Sequence, residues 1–218
     1  MNSVTIPMII DDLGALLLFT MILIIAAGQI YRAIYAVAAQ SLLIAIAGGV
    51  LAKATHNVDL WVIAGITLAV KAIALPWMLH GVVRRMDVRR EIDPVIPIGM
   101  TLALSVLIVM MAFHLNASLG SVRQSITGNA LPVGIALTLL GVLVMASRKK
   151  ALTQMVGLFA SENGIFFTAM AVTRGMPFII EIGVILDVIL AALVMTIMLL
   201  RVRSTVDADI ADLSRLRG

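Results

Sequence analysis

Residues 95–113 read VIPIGMTLALSVLIVMMAF, nineteen positions without one charged side chain. Wound as an α-helix at 1.5 Å per residue, the run is about 28 Å long, close to the bilayer core that about 20 mostly apolar residues span. Six runs of similar character flank it, at 13–30, 33–52 and 60–82 before it and at 129–146, 151–172 and 178–200 after it. Barrel strands would be shorter and would alternate in polarity, and none of these runs alternates. The expectation is an all-α polytopic membrane protein with seven transmembrane helices. The composition of the whole chain agrees. Its 218 residues are 61% hydrophobic and 13% charged, where a soluble domain is about 45–50% apolar and about 25% charged. That balance excludes a soluble enzyme, a nucleic-acid binder and a disordered chain. The absence of cysteine excludes a disulfide framework, thiolate metal or cluster sites and a thiol nucleophile.

The basic residues give these helices a direction. Arg32, then Arg84, Arg85, Arg89 and Arg90, then Arg148, Lys149 and Lys150, and finally Arg201, Arg203, Arg215 and Arg217 fall on one side of the expected membrane. The other side holds only Lys53, Arg123 and Arg174, and Lys71 lies inside a span. The positive-inside rule then sets the N-terminus outside and the C-terminus in the cytoplasm, and the expected location is the cytoplasmic (inner) membrane of a bacterial or archaeal cell. In this setting the formal charge of +4 reports topology and not affinity for nucleic acid. Residues 1–12 carry no basic residue and end in Asp11 and Asp12, which are read as preceding the first span. They do not resemble a cleaved secretory signal. After residue 200 the pattern changes, with Val206, Ile210, Leu213 and Leu216 recurring near helical spacing around Asp207, Asp209 and Asp212. This is the pattern of a short amphipathic helix docked on a partner or on the membrane surface. The chain thus divides into a four-helix membrane region (1–128), a three-helix unit (129–200) and a cytoplasmic amphipathic tail (201–218).

Four charges stand where hydrocarbon is expected. Lys71 is at the middle of the third span, Glu162 at the middle of the sixth and Asp187 near the middle of the seventh, while Glu181 lies nearer the outer surface. A Lys or Asp at a helix centre costs about 2.5–3.5 kcal/mol on insertion, so such residues face protein or water and commonly serve proton relays and ion paths. The plainer alternative is a Lys71–Asp187 pair that fixes helix register and moves nothing. Around Glu162, the small residues Gly157, Ser161, Gly164 and Thr168 allow another backbone to approach closely, and Asn163 is available for hydrogen bonding within the bundle. Pro76, five residues after Lys71, removes an amide donor and frees the Ala72 carbonyl of a regular helix. His80, at the cytoplasmic end of the same span, reads as an interfacial side chain, with a proton-entry role as the alternative. His56 and His114 fall in or near outer loops, without metal-ligand spacing. Spans one to three and five to seven share direction, and Lys71 precedes Arg84 much as Asp187 precedes Arg201, the form of a parallel repeat.

The stretch Gly157-Leu158-Phe159-Ala160-Ser161-Glu162-Asn163-Gly164 resembles the Glu-Asn-Gly motif of the hydrogenase-4 component E family of membrane proteins. Glu181-Ile182-Gly183, Asp187 and the closing Leu213-x-x-Leu216-Arg217-Gly218 fit the same family, and Lys71 with Leu75-Pro76 is similar to its third helix. That family is related, over its last three helices, to the K subunit of respiratory complex I and to the C subunit of multisubunit cation/proton antiporters. The resemblance implies that Glu162 and Asp187 take the roles of the two membrane glutamates of the K subunit. Glu162 stands three residues, close to one helical turn, beyond the K-type position, which Phe159 occupies, and the second acid is Asp instead of Glu. It also implies a hetero-oligomeric role in the membrane arm of a group 4 membrane-bound nickel–iron hydrogenase of formate hydrogenlyase type. Lys71, Glu162, Glu181, Asp187 and His80 would then contribute to a path for protons or Na+. This chain would hold no cofactor: nickel, iron and iron–sulfur clusters would belong to partner subunits. Its membrane neighbours would be antiporter-like subunits and the hydrogenase anchor subunit, besides lipid. A subunit of a stand-alone antiporter and a structural scaffold are the competing expectations.

Overall fold

The computed structural model describes residues 5–85, 95–118 and 129–173. Among them the elements are helices: α1 (Thr5–Ala26), α2 (Ile30–Thr55), α3 (Val58–Ile66), a π-helical segment (Thr67–Ala74), α4 (Leu75–Arg85), α5 (Ile98–Ser118), α6 (Ala130–Ser147) and α7 (Ala151–Thr173). α3, the π segment and α4 follow one another without interruption and make one long rod. Among the described residues five stretches are long and apolar enough to cross a bilayer: Ile6–Ala26, Ile30–Thr55, Val58–Gly81, Ile98–Ala117 and Ala130–Ser147. α7 adds a further 23 residues of helix carrying Glu162 and Asn163. Each of the first six expected spans therefore coincides with a helix. The seventh, with Glu181 and Asp187, and the tail 201–218 lie outside the described residues.

Boundaries differ from the sequence reading in instructive places. α1 begins at Thr5, so Asp11 and Asp12 lie inside the first helix and not ahead of it. Pro7 does not prevent this, because a proline in the first turn lacks only an amide that has no intrahelical acceptor anyway. α5 begins three residues late, just after Pro97, whose carbonyl accepts both the amide of Thr101 at 3.0 Å and its hydroxyl at 3.2 Å. Between α2 and α3 the chain reverses in two residues. His56 takes the left-handed conformation (φ 52°) and its amide bonds to the Ala52 carbonyl, closing α2. The side chain of Asn57 then accepts the Asp59 amide at 2.9 Å, capping α3, so each helix end finds a partner for an otherwise unpaired group.

The hairpins α1–α2 and α6–α7 pack against each other with α1 parallel to α6 and α2 parallel to α7. Polar contacts fix the first pair at both ends. Where α6 begins, Asp11 accepts the Asn129 amide at 2.6 Å and its side-chain amide at 3.2 Å, a negative charge set at a helix N-terminus. Where α1 ends, the buried Arg148 guanidinium donates to the Ile25 carbonyl at 2.7 Å, satisfying one of the carbonyls a helix end leaves over. Leu17, Met21, Ile44, Leu137 and Phe167 of these four helices are buried. Within the second hairpin, α6 and α7 touch backbone to backbone along Gly134, Gly141, Gly157 and Gly164. A methyl group on Gly141 would stand 2.6 Å from the Ser161 Cα, and one on Gly157 would stand 2.9 Å from the Gly141 carbonyl oxygen. Ser161 donates across this seam to the Thr138 carbonyl at 3.1 Å. The small-residue face expected on the sixth span thus has its partner, α6, which contributes glycines of its own.

One end of the bundle gathers Arg32 at the start of α2, Arg84 at the end of α4, and Arg148, Lys149 and Lys150 between α6 and α7. There the Val95 amide bonds to the Ser147 carbonyl at 2.9 Å, and His80 of α4 lies 4.9 Å, ring to ring, from Tyr31 at the start of α2. Asp11 and Asn129 mark the opposite end.

Candidate functional site

The seam against α6 decides where Glu162 points. Ser161 and Gly164 are spent on the α6 contact, and each residue along an α-helix turns about 100°, since a turn takes 3.6 residues. The intervening Glu162 and Asn163 are therefore rotated away from α6, toward α2 and the π segment. All four residues are buried.

Lys71 arrives from the other side on an unusual piece of backbone. Across Thr67–Ala74 the helix widens to i→i−5 hydrogen bonding, closing with the Leu75 amide on the Val70 carbonyl. The next amide in that series would belong to residue 76, which is proline. In this register the carbonyl that meets the proline is that of Lys71 itself, one residue before the Ala72 of a regular α-helix. π-Helical turns are rare and recur at functional sites, and this one is centred on the charged residue of the span.

Here Lys71 Nζ stands 3.1 Å from Glu162 Oε1, and the two side chains are only 7% and 5% exposed. The ammonium also lies 6.0 Å from the centre of the Phe166 ring, one turn beyond Glu162, at the outer range of a cation–π contact. Thr67, one turn before Lys71, is buried as well. Beside the ion pair is a neutral polar node. The Asn163 side-chain amide donates to Gln40 Oε1 at 3.2 Å and to Ser41 Oγ at 3.1 Å. Gln40 in turn directs its own amide at Met21 Sδ, 4.0 Å away. α2, α7 and the π segment thus meet around Gln40, Ser41, Lys71, Glu162 and Asn163, all buried in an otherwise apolar interior. Chemically, the arrangement holds one acid and one base close enough to sense each other's charge, with hydrogen-bonding neighbours on one flank.

Of the expected site residues, the structure brings together Lys71 and Glu162, with Asn163 alongside. Among the described residues, the carboxylate beside Lys71 is Glu162; the expected Lys71–Asp187 pair rests on a residue outside them. His80 is not part of this site. It lies on α4, exposed, between Tyr31 and Tyr35 at ring distances of 4.9 Å and 6.4 Å. Glu181 and Asp187 lie outside the described residues. Among the described residues no three His, Asp or Glu side chains gather as metal ligands. Sequence reasoning passed over Gln40 and Ser41. Their signal was present: they are the adjacent polar pair in the middle of the apolar run 33–52.

Neither a family model nor a solved structure matches the chain. Among curated proteins it is similar to the uncharacterized protein Rv0085 of Mycobacterium tuberculosis (strain ATCC 25618 / H37Rv), with 33% identity over 152 residues that span 69% of either chain. At that identity and coverage, this helical protein with its buried Lys71–Glu162 pair belongs to the same family as the mycobacterial Rv0085 protein.

Proposed function

We propose that this protein is a seven-span subunit of the cytoplasmic membrane, N-terminus outside and C-terminus cytoplasmic, that carries ions through the membrane arm of a larger complex. The complex is a group 4 membrane-bound nickel–iron hydrogenase of formate hydrogenlyase type. Redox chemistry belongs to its partner subunits, and this chain links an antiporter-like subunit to the hydrogenase anchor. The observation that carries the proposal is the Lys71–Glu162 pair, 3.1 Å apart and buried at a π-helical break. Two opposite charges kept from water interact far more strongly than at a surface. Protonation of Glu162 removes the charge that Lys71 faces, so a proton arriving at one group changes what the other binds. Lys71 and Glu162 are charged sites of the path, Glu181 and Asp187 would contribute further ionisable groups, and protons, with Na+ as the alternative ion, pass by changes in ionisation.

Placing Arg32, Arg84, Arg148, Lys149 and Lys150 at one end of the bundle supports this orientation, since the cytoplasmic end is the basic one. The test is Glu162→Gln and Asp187→Asn in the assembled complex. Each variant is expected to assemble and to evolve hydrogen while the coupled ion gradient falls at least tenfold, about 1.4 kcal/mol in the rate-limiting transfer. Full coupling in both variants would remove the relay role and leave the pair a structural device.

A further inference from the structure

Asn163 is buried to within 1% of its surface and Gln40 completely. The Asn163 Nδ2 group is occupied, donating to Gln40 Oε1 and Ser41 Oγ, while its Oδ1 is buried and has no hydrogen-bond partner among the described residues. An amide can be turned over without changing its shape, so a second orientation is open to it. Turning Asn163 alone would set its oxygen against the Gln40 oxygen, and Gln40 therefore turns with it. Gln40 then donates to Asn163 and the Ser41 hydroxyl donates to the same oxygen, while Asn163 Nδ2 is left over together with Gln40 Oε1, which has exchanged places with the amide that pointed at Met21 Sδ. In either orientation the node has a polar position that the described residues leave unfilled: the Asn163 acceptor in the first, the Asn163 donor and the Gln40 acceptor in the second.

We propose that this position is a binding site for a single buried water molecule, held by the Asn163 amide beside the Lys71–Glu162 pair. The chemistry selects the ligand. It must be small enough for a closely packed seam, and it must both donate and accept to serve both orientations of the amide. Water does both, and buried waters characteristically complete polar groups that the protein leaves over. A sodium ion serves only the acceptor orientation and would sit near the Lys71 ammonium, which repels it. Coupled turning of Gln40 and Asn163 reverses the direction in which this water is oriented. That is the step a proton-conducting chain needs between one transfer and the next. The transport role rests on the relay reading of Glu162; the binding site does not.

The test uses the full chain in its native complex. Infrared difference spectra in ordinary and oxygen-18 water are expected to show a buried O–H stretch that shifts on isotope exchange and is lost in Asn163→Leu. A map of the unaltered complex that resolves ordered solvent is expected to show a peak at hydrogen-bonding distance from the Asn163 amide, independent of whether Na+ is in the buffer. The proposal is overturned by a band that survives Asn163→Leu, by its absence from the unaltered protein, by a protein group on the amide, or by a peak that requires Na+. Should Asn163→Leu fail to assemble, the map decides alone. None of these readouts depends on ion flux. A complex that keeps full coupling in Glu162→Gln yet shows the water therefore refutes the relay and leaves the site standing.

Discussion

Glu162 and Lys71 face each other within the helix bundle, and deleting either one takes an opposite charge from beside the other in a buried setting. Glu162→Met or Lys71→Met alone is therefore expected to destabilise the folded chain by about 3–5 kcal/mol, whereas the double variant Lys71→Met with Glu162→Met returns close to the parent. Thermal unfolding in detergent across this double-mutant cycle measures the coupling, and equal losses that simply add would show that the two charges do not depend on each other. Each residue was legible by itself, because a charge in the middle of an apolar run announces its cost. Their partnership was not, since it depends on how the third and sixth spans are rotated about their axes, and Asp187 offered Lys71 an equally plausible acid. Gln40 and Ser41 were harder still: an amide and a hydroxyl barely disturb the hydropathy of a span and gain meaning only when Asn163 is found opposite.

At the level of elements, the α6–α7 seam is the least forgiving surface of the bundle. A Cβ on Gly141 would press on the Ser161 amide nitrogen and stand 2.6 Å from its Cα, backbone atoms that cannot move aside, whereas one on Gly28 would meet nothing within 4 Å. Gly141→Ala is expected to destabilise by about 1–3 kcal/mol, and Gly28→Ala to stay within about 0.5 kcal/mol of the parent, both read as shifts in the thermal midpoint. Equal effects at the two positions would contradict the seam. Gly157, Ser161, Gly164 and Thr168 were readable as a small-residue face because their spacing repeats along one side of a helix. That α6 is the element they meet was not readable, because many helix pairs satisfy the same spacing. Pro76 likewise marked a disturbance of the third span, but nothing in the composition of residues 67–74 separates i→i−5 from i→i−4 bonding. The widened turn is a product of packing around Lys71 and the missing amide together.

At the scale of the molecule, Asp11 with Asn129 at one end and Arg148 with the Ile25 carbonyl at the other hold α1 parallel to α6. The natural chain has no cysteine, which makes the proposed orientation simple to examine. Cysteines introduced singly as Asp59→Cys and Lys149→Cys, both at exposed positions, are expected to react with a membrane-impermeant maleimide from opposite sides, Asp59→Cys in intact cells and Lys149→Cys only after the cytoplasmic face is opened. Labelling of both from one side would refute the alternation. The positions of the described helices were legible because hydropathy marks apolar runs of helical length directly. The parallel pairing of the two hairpins was not, because the contacts that enforce it join residues more than a hundred positions apart.

Chain order gives the Lys71–Glu162 contact a consequence for biosynthesis. The lysine leaves the ribosome about 90 residues ahead of the glutamate, an interval of roughly 5–20 s at about 5–20 residues per second. Throughout that time the third helix carries a cation whose partner acid has not yet been made, at an insertion cost of about 2.5–3.5 kcal/mol. It must linger at the insertion machinery, or keep its ammonium in the headgroup region, until the sixth helix is made. Translation speed over residues 72–162 thus becomes a determinant of yield, and a ribosome stalled before Glu162 leaves behind a chain that the membrane's quality control can recognise by a single exposed charge.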